Sequence, residues 1–248
     1  MNSLYIYNEL FIYIMNSLSF KFKEINYTFE YNAQDLSELW CIDEIVKNNE
    51  YLLDQFVNND SKCFIDIGAN CGVATIILAK QNPLSIIYSF EPDKQLFKIL
   101  QNNIIKNNLT NVKTFNMAVS KDGVKELTLC LHPDYSGGNT TYSDVDAFKS
   151  FFNNRNINSY TVECISLDKF IDANNITEIE LLKIDCEGAE YDILYNSVFL
   201  KNKCIKNMVG EFHNLKYNTL VEHTGENLIN YCKPFIQNVF KISVLNVN

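Results

Sequence analysis

Residues 64–72 read Phe64-Ile-Asp-Ile-Gly-Ala-Asn-Cys-Gly72, an apolar run that leads into a turn with two glycines. The run predicts a short buried strand over Cys63–Ile67. Glycine in such a turn lets the backbone approach a ligand closely. The spacing Gly68-x-x-x-Gly72 differs from the G-x-G-x-x-G pattern that binds a pyrophosphate, and the carboxylate of Asp66 would repel one. The segment therefore predicts a βα turn that binds a ligand with positive charge, the alternative being a tight turn without a ligand.

Strands and helices alternate along the rest of the chain. Apolar runs predict further strands at 85–90, 112–117, 124–131, 160–165, 179–185, 208–212 and 240–245. Helical patterns lie at 73–80, 94–107, 166–174, 189–196 and 220–232. Repeated βα units with apolar strands predict an α/β fold in which a mostly parallel, doubly wound sheet carries helices on both faces.

The segment before the first predicted strand has a different pattern. Apolar residues at helical spacing over 35–56 predict one or two helices there. We therefore expect an N-terminal helical extension of residues 1–60, packed on a core domain of residues 61–248. The apolar start of the chain lacks a basic leading region, and polar residues interrupt it, so neither a signal peptide nor a membrane span is expected.

Two further motifs place acids at strand ends. Ser89-Phe-Glu-Pro92 puts Glu91 after the second strand, where an acid can bind both hydroxyls of a ribose, although it could also cap the following helix. Leu182-Lys-Ile-Asp-Cys-Glu-Gly-Ala-Glu190 puts Asp185 at the end of another strand. Open α/β sheets bind ligands at the carboxyl ends of their strands, so Asp66, Glu91 and Asp185 are expected along one crevice. Glu187 and Glu190 could instead favour the N-terminus of the next helix.

Four segments, taken in order, resemble the signatures of the FkbM family of methyltransferases. They are Asp-Ile-Gly-Ala-Asn-x-Gly from Asp66, Phe-Glu-Pro from Phe90, Asn116-Met-Ala-Val-Ser120 and Lys-Ile-Asp-x-Glu-Gly-Ala-Glu from Lys183. The last of these is the most specific. The resemblance covers about 40–213 and implies a Rossmann-like class I methyltransferase fold with S-adenosyl-L-methionine as cofactor.

The same resemblance implies roles for individual residues. The methionine part of the cofactor would lie against Asp66, Gly68, Ala69, Asn70 and Gly72. Glu91 would hold the ribose and Ala118 would lie near the adenine. The loop Ser136-Gly137-Gly138 resembles a family feature beside the active site. The chain ends soon after Leu245, so the usual antiparallel strand pair at the sheet edge is expected to be abbreviated.

Methyl transfer to a hydroxyl needs a group that takes its proton. Asp185 and His213 are the candidates, because both are expected at the same edge of the sheet. Asp185, Glu211 and His213 could instead bind a divalent metal, since they offer hard oxygen ligands and an imidazole. No tight spacing motif supports that metal site, and it is not favoured.

The sequence therefore predicts a methyltransferase that O-methylates a hydroxyl of a sugar, a glycan or another small molecule. A Rossmann-like NAD-dependent oxidoreductase and a catalytically silent cofactor-binding module are the alternatives. The polar loop over 132–159, with a short helix around 145–152, is expected to close over the crevice.

Net charge and cysteine content indicate which partners and which cellular location to expect. The net charge of −9 argues against nucleic acid as a partner, because a grip on phosphates relies on clustered Lys and Arg. The eight cysteines form no CxxC pair, which favours reduced thiols and a cytoplasmic location. No feature of the sequence assigns an oligomeric state.

Overall fold

The computed structural model describes residues 3–5, 13–22, 24–35, 37–142, 157–214 and 224–246. Its N-terminal part is a three-stranded antiparallel sheet of β1 (Ser3–Tyr5), β2 (Tyr13–Phe22) and β3 (Ile25–Asn32). Helix α1 (Ser37–Ile42) follows and continues as a π-helical turn over Asp43–Lys47. A single 3-10 turn over Leu53–Gln55 then leads to the core.

The elements of the core alternate as the sequence predicts. They are β4 (Cys63–Ile67), α2 (Val73–Gln81), β5 (Ile86–Phe90), α3 (Lys94–Lys106), β6 (Val112–Phe115), β7 (Ala118–Ser120), β8 (Glu126–Cys130), β9 (Ser159–Ser166), α4 (Leu167–Ala173), β10 (Ile179–Ile184), α5 (Glu190–Asn196), α6 (Val198–Lys201), β11 (Ile205–Asn214), α7 (Gly225–Cys232) and β12 (Phe240–Asn246). Short 3-10 turns lie at Ser136–Gly138 and Lys233–Phe235.

The central sheet has six strands in the order β12-β11-β10-β4-β5-β6. Every neighbouring pair in it is parallel. The expected α/β fold with a mostly parallel, doubly wound sheet is therefore confirmed. The strand next to β11 at the edge, β12, is itself parallel, so no antiparallel pair closes this edge among the described residues.

Successive side chains of the buried strands belong to two separate apolar cores. Phe64 and Leu181 pack with α2 and with Tyr27 and Phe29 of β3 on one face. Their neighbours in sequence pack on the other face, against α4, α5 and α7. This alternation follows from the two-residue period of a strand, and it explains why the strands are mostly apolar on both faces.

The N-terminal sheet is held to α3 by two asparagines. Asn107 pairs with the backbone of Thr28, donating to its oxygen (2.6 Å) and accepting from its nitrogen (3.2 Å). Asn103 makes the equivalent pair of hydrogen bonds with the backbone of Glu30. The side-chain amides of a helix thus satisfy the edge of β3, which otherwise would present unpaired backbone groups.

The expectation of a helical extension over 1–60 is wrong for its first part. The described residues before position 33 are mainly in strands, and helical turns begin at Ser37. Alternating residues such as Tyr27 and Phe29 are buried, and this two-residue period stabilises a strand rather than a helix. The division into an extension and a core domain at residue 60 stays a prediction.

Two expectations fall outside the part of the chain that the structure describes. They are the short helix around 145–152 and the start of the helix predicted at 220. Within the described residues, no helix is long and apolar enough to cross a membrane.

Candidate active site

A cavity of about 310 Å³ lies at the carboxyl ends of β4, β5, β10 and β11. Most of the residues predicted for the site line it, and these are Gly68, Ala69, Asn70, Glu91, Ala118, Ser136, Gly137, Asp185, Glu211 and His213. Asp66, Gly72 and Gly138 are not among its lining residues. The crevice expected at the strand ends is therefore present, and it collects side chains from four strands.

The glycine turn after β4 brings two strand ends together. Gly68 has a φ of +78°, and a Cβ at this position would lie 1.8 Å from the carbonyl oxygen of Asp185. Both Gly68 and Ala69 donate their N–H groups to the carbonyl of Phe90, at 3.1 and 2.9 Å. Glycine is required here because the backbone of the neighbouring strand end leaves no room for a side chain. Gly72, with a φ of +93°, instead precedes α2 and faces Leu100.

Asp66 has a different place from the one expected. Its carboxylate is fully buried, accepts a hydrogen bond of 2.6 Å from the hydroxyl of Thr75, and lies 3.3 Å from the ammonium of Lys183. Asp66 therefore lies behind the cavity wall as the counter-ion of Lys183. The expected contact of Asp66 with the methionine part of the cofactor stays a prediction, although Asp66 is not among the residues that line the cavity.

Lys183 is a residue of the site that the sequence analysis overlooked. Its side chain is only 4% exposed, and its ammonium donates to the carbonyl of Gly68 at 2.7 Å and lies 3.8 Å from Asp185. Burial lowers the pKa of Lys183, but Asp66 and Asp185 outweigh burial and raise it above its ordinary value. The signal was a charged residue inside the apolar strand β10, paired in register with Asp66 on β4. A buried charge of this kind needs partners, and here two carboxylates supply them.

Asp185 is oriented by the N-terminal segment. The hydroxyl of Tyr51 donates to Oδ2 of Asp185 at 2.8 Å. Burial, together with the charge of Asp185, raises the pKa of Tyr51 well above its usual value, so the hydroxyl keeps its proton and remains a donor. Tyr51 lies more than 130 positions from Asp185 in the chain, and the sequence marks its segment only by the helical spacing of other apolar residues over 35–56.

Glu91 supports the glycine turn as well as lining the cavity. Its two carboxylate oxygens accept the backbone N–H groups of Asn70 and Asp93, each at 2.8 Å. Burial, with a smaller effect of the Asp93 charge, raises the pKa of Glu91 to about 8. The cap of α3 is Asp93, whose side chain accepts from the N–H groups of Gln95 and Leu96. The alternative role of Glu91 as the helix cap is therefore ruled out.

His213 lies between two glutamates. Its Nδ1 is 3.1 Å from Glu190 and its Nε2 is 3.3 Å from Glu187, and the imidazole is 2% exposed. Although burial lowers the pKa of His213, the charges of Glu187 and Glu190 outweigh it and raise the pKa well above its ordinary value. Without a further ligand, His213 therefore holds a proton at neutral pH and is a poor proton acceptor.

Three acids, Asp185, Glu187 and Glu211, lie with this histidine in one corner of the cavity. One ligand atom from each of Asp185, Glu211 and His213 lies within 4.8 Å of the others. Burial and the neighbouring carboxylates raise the pKa of both Glu187 and Glu211. The structure thus brings together the three residues that the sequence analysis named as an alternative metal site.

The loop after β8 is tied to α1 at the mouth of the cavity. The backbone N–H of Ser136 donates to Asp35 at 2.7 Å, and that of Gly137 donates to the hydroxyl of Ser37 at 3.3 Å. Thr140 donates to the carbonyl of Glu187 at 2.6 Å. The described part of the predicted lid is therefore held in place by contacts on both sides of the cavity.

Comparison with known proteins identifies the family of this chain. The family described as Methyltransferase FkbM domain matches residues 66–230, which is more than half of the chain. "Methyltransferase 1" of Beauveria bassiana (strain ARSEF 2860) is 28% identical over 145 residues, or 54% of this chain and 58% of that protein. The AMB antimetabolite synthetase AmbE of Pseudomonas aeruginosa is 26% identical over 178 residues, or 61% of this chain and 8% of that protein. The chain thus spans less than two thirds of the length of these relatives.

Among solved structures, a precorrin-6y C5,15-methyltransferase from Geobacter metallireducens GS-15 aligns with 74% of this chain and 65% of its own. The TM-score is 0.37 and the sequence identity is 13%.

The parallel sheet, its glycine turn and the acid after β5 define a protein of the Rossmann-like class. Within this class, the chain belongs to the FkbM methyltransferase domain family.

At a pH well above 8, where Glu91 is ionised, Glu91→Gln is expected to weaken the binding of S-adenosylhomocysteine by about 1.5–3 kcal/mol, the range for a hydrogen bond to a charged group. The amide cannot accept from both backbone N–H groups and also bind a ribose hydroxyl as a carboxylate does. Isothermal titration calorimetry measures the affinity, and a denaturant titration measures the free energy of unfolding. A loss of stability with an unchanged affinity would leave Glu91 with a role in the turn alone.

Proposed function

We propose that this chain transfers the methyl group of S-adenosylmethionine to a hydroxyl oxygen of a sugar, a glycan or another small molecule. The observation that carries the proposal is the position of Asp185. This carboxylate lines the cavity beside the glycine turn and is oriented by the hydroxyl of Tyr51. A fixed carboxylate at the strand ends is suited to take the proton of an acceptor hydroxyl.

The residues of the cavity fit the cofactor. Its lining includes Glu44, Glu91, Asp185, Glu187 and Glu211, and this acidic set suits a ligand that carries ammonium and sulfonium charges. When bound, S-adenosylmethionine supplies a methyl group activated by the positive charge on its sulfur.

The roles that the family resemblance implies for individual residues are compatible with their places in the cavity. The backbone of Gly68, Ala69 and Asn70 would hold the methionine part, and Glu91 would accept hydrogen bonds from the ribose hydroxyls. Ala118, buried at the start of β7, would lie against the adenine. The acceptor would then enter beside Ser136 and Gly137, on the side of Asp185.

Of the two candidate proton acceptors, Asp185 is favoured over His213. The two neighbouring glutamates keep a proton on His213, whereas Asp185 receives a hydrogen bond from Tyr51 and lies near the ammonium of Lys183. Positioning of the acceptor oxygen against the methyl group supplies much of the remaining rate enhancement in such a reaction.

The alternatives make different predictions about ligands. Membership of the methyltransferase family and the missing G-x-G-x-x-G pattern both argue against an NAD-dependent oxidoreductase. A catalytically silent module would bind the cofactor and transfer nothing.

A cytoplasmic location stays a prediction, in keeping with eight free thiols.

We expect S-adenosylhomocysteine to bind in the low-micromolar range or tighter, which corresponds to about −8 kcal/mol. Calorimetry with S-adenosylmethionine, S-adenosylhomocysteine and NAD tests this, and a radioactive methyl-transfer screen of nucleotide sugars, glycans and small hydroxylated molecules identifies the acceptor. Absence of binding by a folded sample would contradict the methyltransferase function. Binding without transfer to any hydroxyl would favour the silent module.

A further inference from the structure

Strands β10 and β11 place three metal-ligating side chains side by side. The register pairs Ile184 with Gly210, so the next residues on the two strands, Asp185 and Glu211, are neighbours. Glu211 and His213 are two positions apart on β11 and share one face of the strand. One ligand atom from each of the three lies within 4.8 Å of the others, which is a separation that a single cation can bridge.

The two nitrogens of His213 have different environments. Nδ1 lies 3.1 Å from the carboxylate of Glu190, which is itself fully buried. Nε2 is buried at the cavity wall and has no hydrogen-bond partner among the described residues. A carboxylate on one nitrogen of a histidine is the arrangement that metal-binding histidines have in proteins, and a cation would displace the proton of Nε2, which now faces Glu187 at 3.3 Å.

The carboxylates around this nitrogen outnumber the positively charged groups near them. Glu211 makes no hydrogen bond or ion pair with any residue that the structure describes, and the carboxylate of Glu187 lies 3.3 Å from Nε2. The nearest lysine, Lys183, is closer to Asp66 (3.3 Å) than to Asp185 (3.8 Å). Carboxylates that are partly buried without a cation are costly, and a divalent ion at this point would neutralise them.

We propose that Asp185, Glu211 and His213 bind one divalent cation of the Mg²⁺ or Mn²⁺ class, and that this cation binds the acceptor hydroxyl. One oxygen of Asp185 would hold the cation, and the other, which Tyr51 orients, would take the proton of the hydroxyl. Two oxygen ligands and one imidazole suit such a cation. Three protein ligands fill half of an octahedral shell, which leaves positions for oxygens of the acceptor. The role toward the acceptor rests on the proposed methyl transfer, whereas the binding of the cation does not.

The test uses Mn²⁺, whose free form gives an electron paramagnetic resonance signal that disappears on binding. The full chain is stripped with EDTA, dialysed and titrated with MnCl₂. We expect saturable binding of one Mn²⁺ per chain. Glu211→Gln and Asp185→Asn should each weaken binding at least tenfold. Glu163→Gln removes an exposed carboxylate from β9, outside the cavity, and should bind Mn²⁺ as the unchanged chain does.

Two results would overturn the cation site. One is the absence of saturable Mn²⁺ binding by a folded chain, with and without S-adenosylhomocysteine. The other is an affinity for Mn²⁺ that is the same in Glu211→Gln as in Glu163→Gln. Calorimetry of S-adenosylhomocysteine with the EDTA-stripped chain tests the cofactor site separately, so that failure of the cation site and failure of the proposed methyl transfer are distinguishable.

Discussion

Gly68→Ala is expected to lower the free energy of unfolding by about 2–5 kcal/mol. Two costs combine at this position. An L-residue at a φ of +78° costs about 1–2 kcal/mol. The new Cβ would also lie 1.8 Å from the carbonyl oxygen of Asp185, and this clash can be relieved only by moving backbone, at a further cost of about 1–3 kcal/mol. Chemical denaturation followed by circular dichroism measures the change.

Gly123→Ala is the matched control. Gly123 has a similar φ of +84°, but nothing lies within 4 Å of the position that its Cβ would occupy. Its substitution should therefore cost the backbone strain alone, about 1–2 kcal/mol. Equal losses of stability in the two variants would show that the close approach of the ends of β4 and β10 adds nothing to the cost of Gly68→Ala.

Asp185→Asn is expected to lower the turnover number by about a hundredfold or more, the lower range for loss of a general base. Asparagine can still accept the hydrogen bond from Tyr51, and Lys183 keeps Asp66 as a counter-ion, so the fold should persist. The affinity for S-adenosylhomocysteine should change little. Initial rates at saturating cofactor, once an acceptor is known, separate the loss in turnover from any loss in binding.

A control on the same strand is Glu180→Gln. Glu180 lies near the other end of β10, where its carboxylate contacts Lys206. This variant removes one negative charge from β10 without touching the cavity, and its turnover should equal that of the unchanged chain. Full turnover by Asp185→Asn would remove Asp185 both as proton acceptor and as an essential metal ligand.

The core of the fold could be predicted because its signals are local. Runs such as Cys63–Ile67 and Ile179–Ile184 are mostly apolar, since both faces of these strands are covered by helices. The acids that follow the strands then lie at one edge by topology alone. This is why Glu91, Asp185 and His213 were expected in one crevice before any contact was known.

The N-terminal sheet was missed because two patterns competed. Helical spacing over 35–56 was taken to represent the whole segment before residue 60, and it correctly marks α1. The alternation of Tyr27 and Phe29 with polar residues indicates a strand, but it covers few positions. A shorter window over 25–32 would have favoured the strand.

The contacts of the site could not be predicted in the same way. Tyr51 and Asp185 meet because the N-terminal segment packs over the sheet, and Asp66 is withdrawn from the cavity because Lys183 is buried beside it. Such partners depend on which elements become neighbours. No motif spacing encodes them.

The asparagine pairs between α3 and β3 have a consequence for the order of folding. Four residues of a helix rise about 6 Å and two residues of a strand about 6.6 Å, so Asn103 and Asn107 match the spacing of Glu30 and Thr28. A slip of β3 by one residue would break these four hydrogen bonds and turn Tyr27 and Phe29 away from the core. The register of the first strands is thus set by a helix more than 70 positions later. During synthesis, β3 can therefore dock in this register only after the residues of α3 have been made.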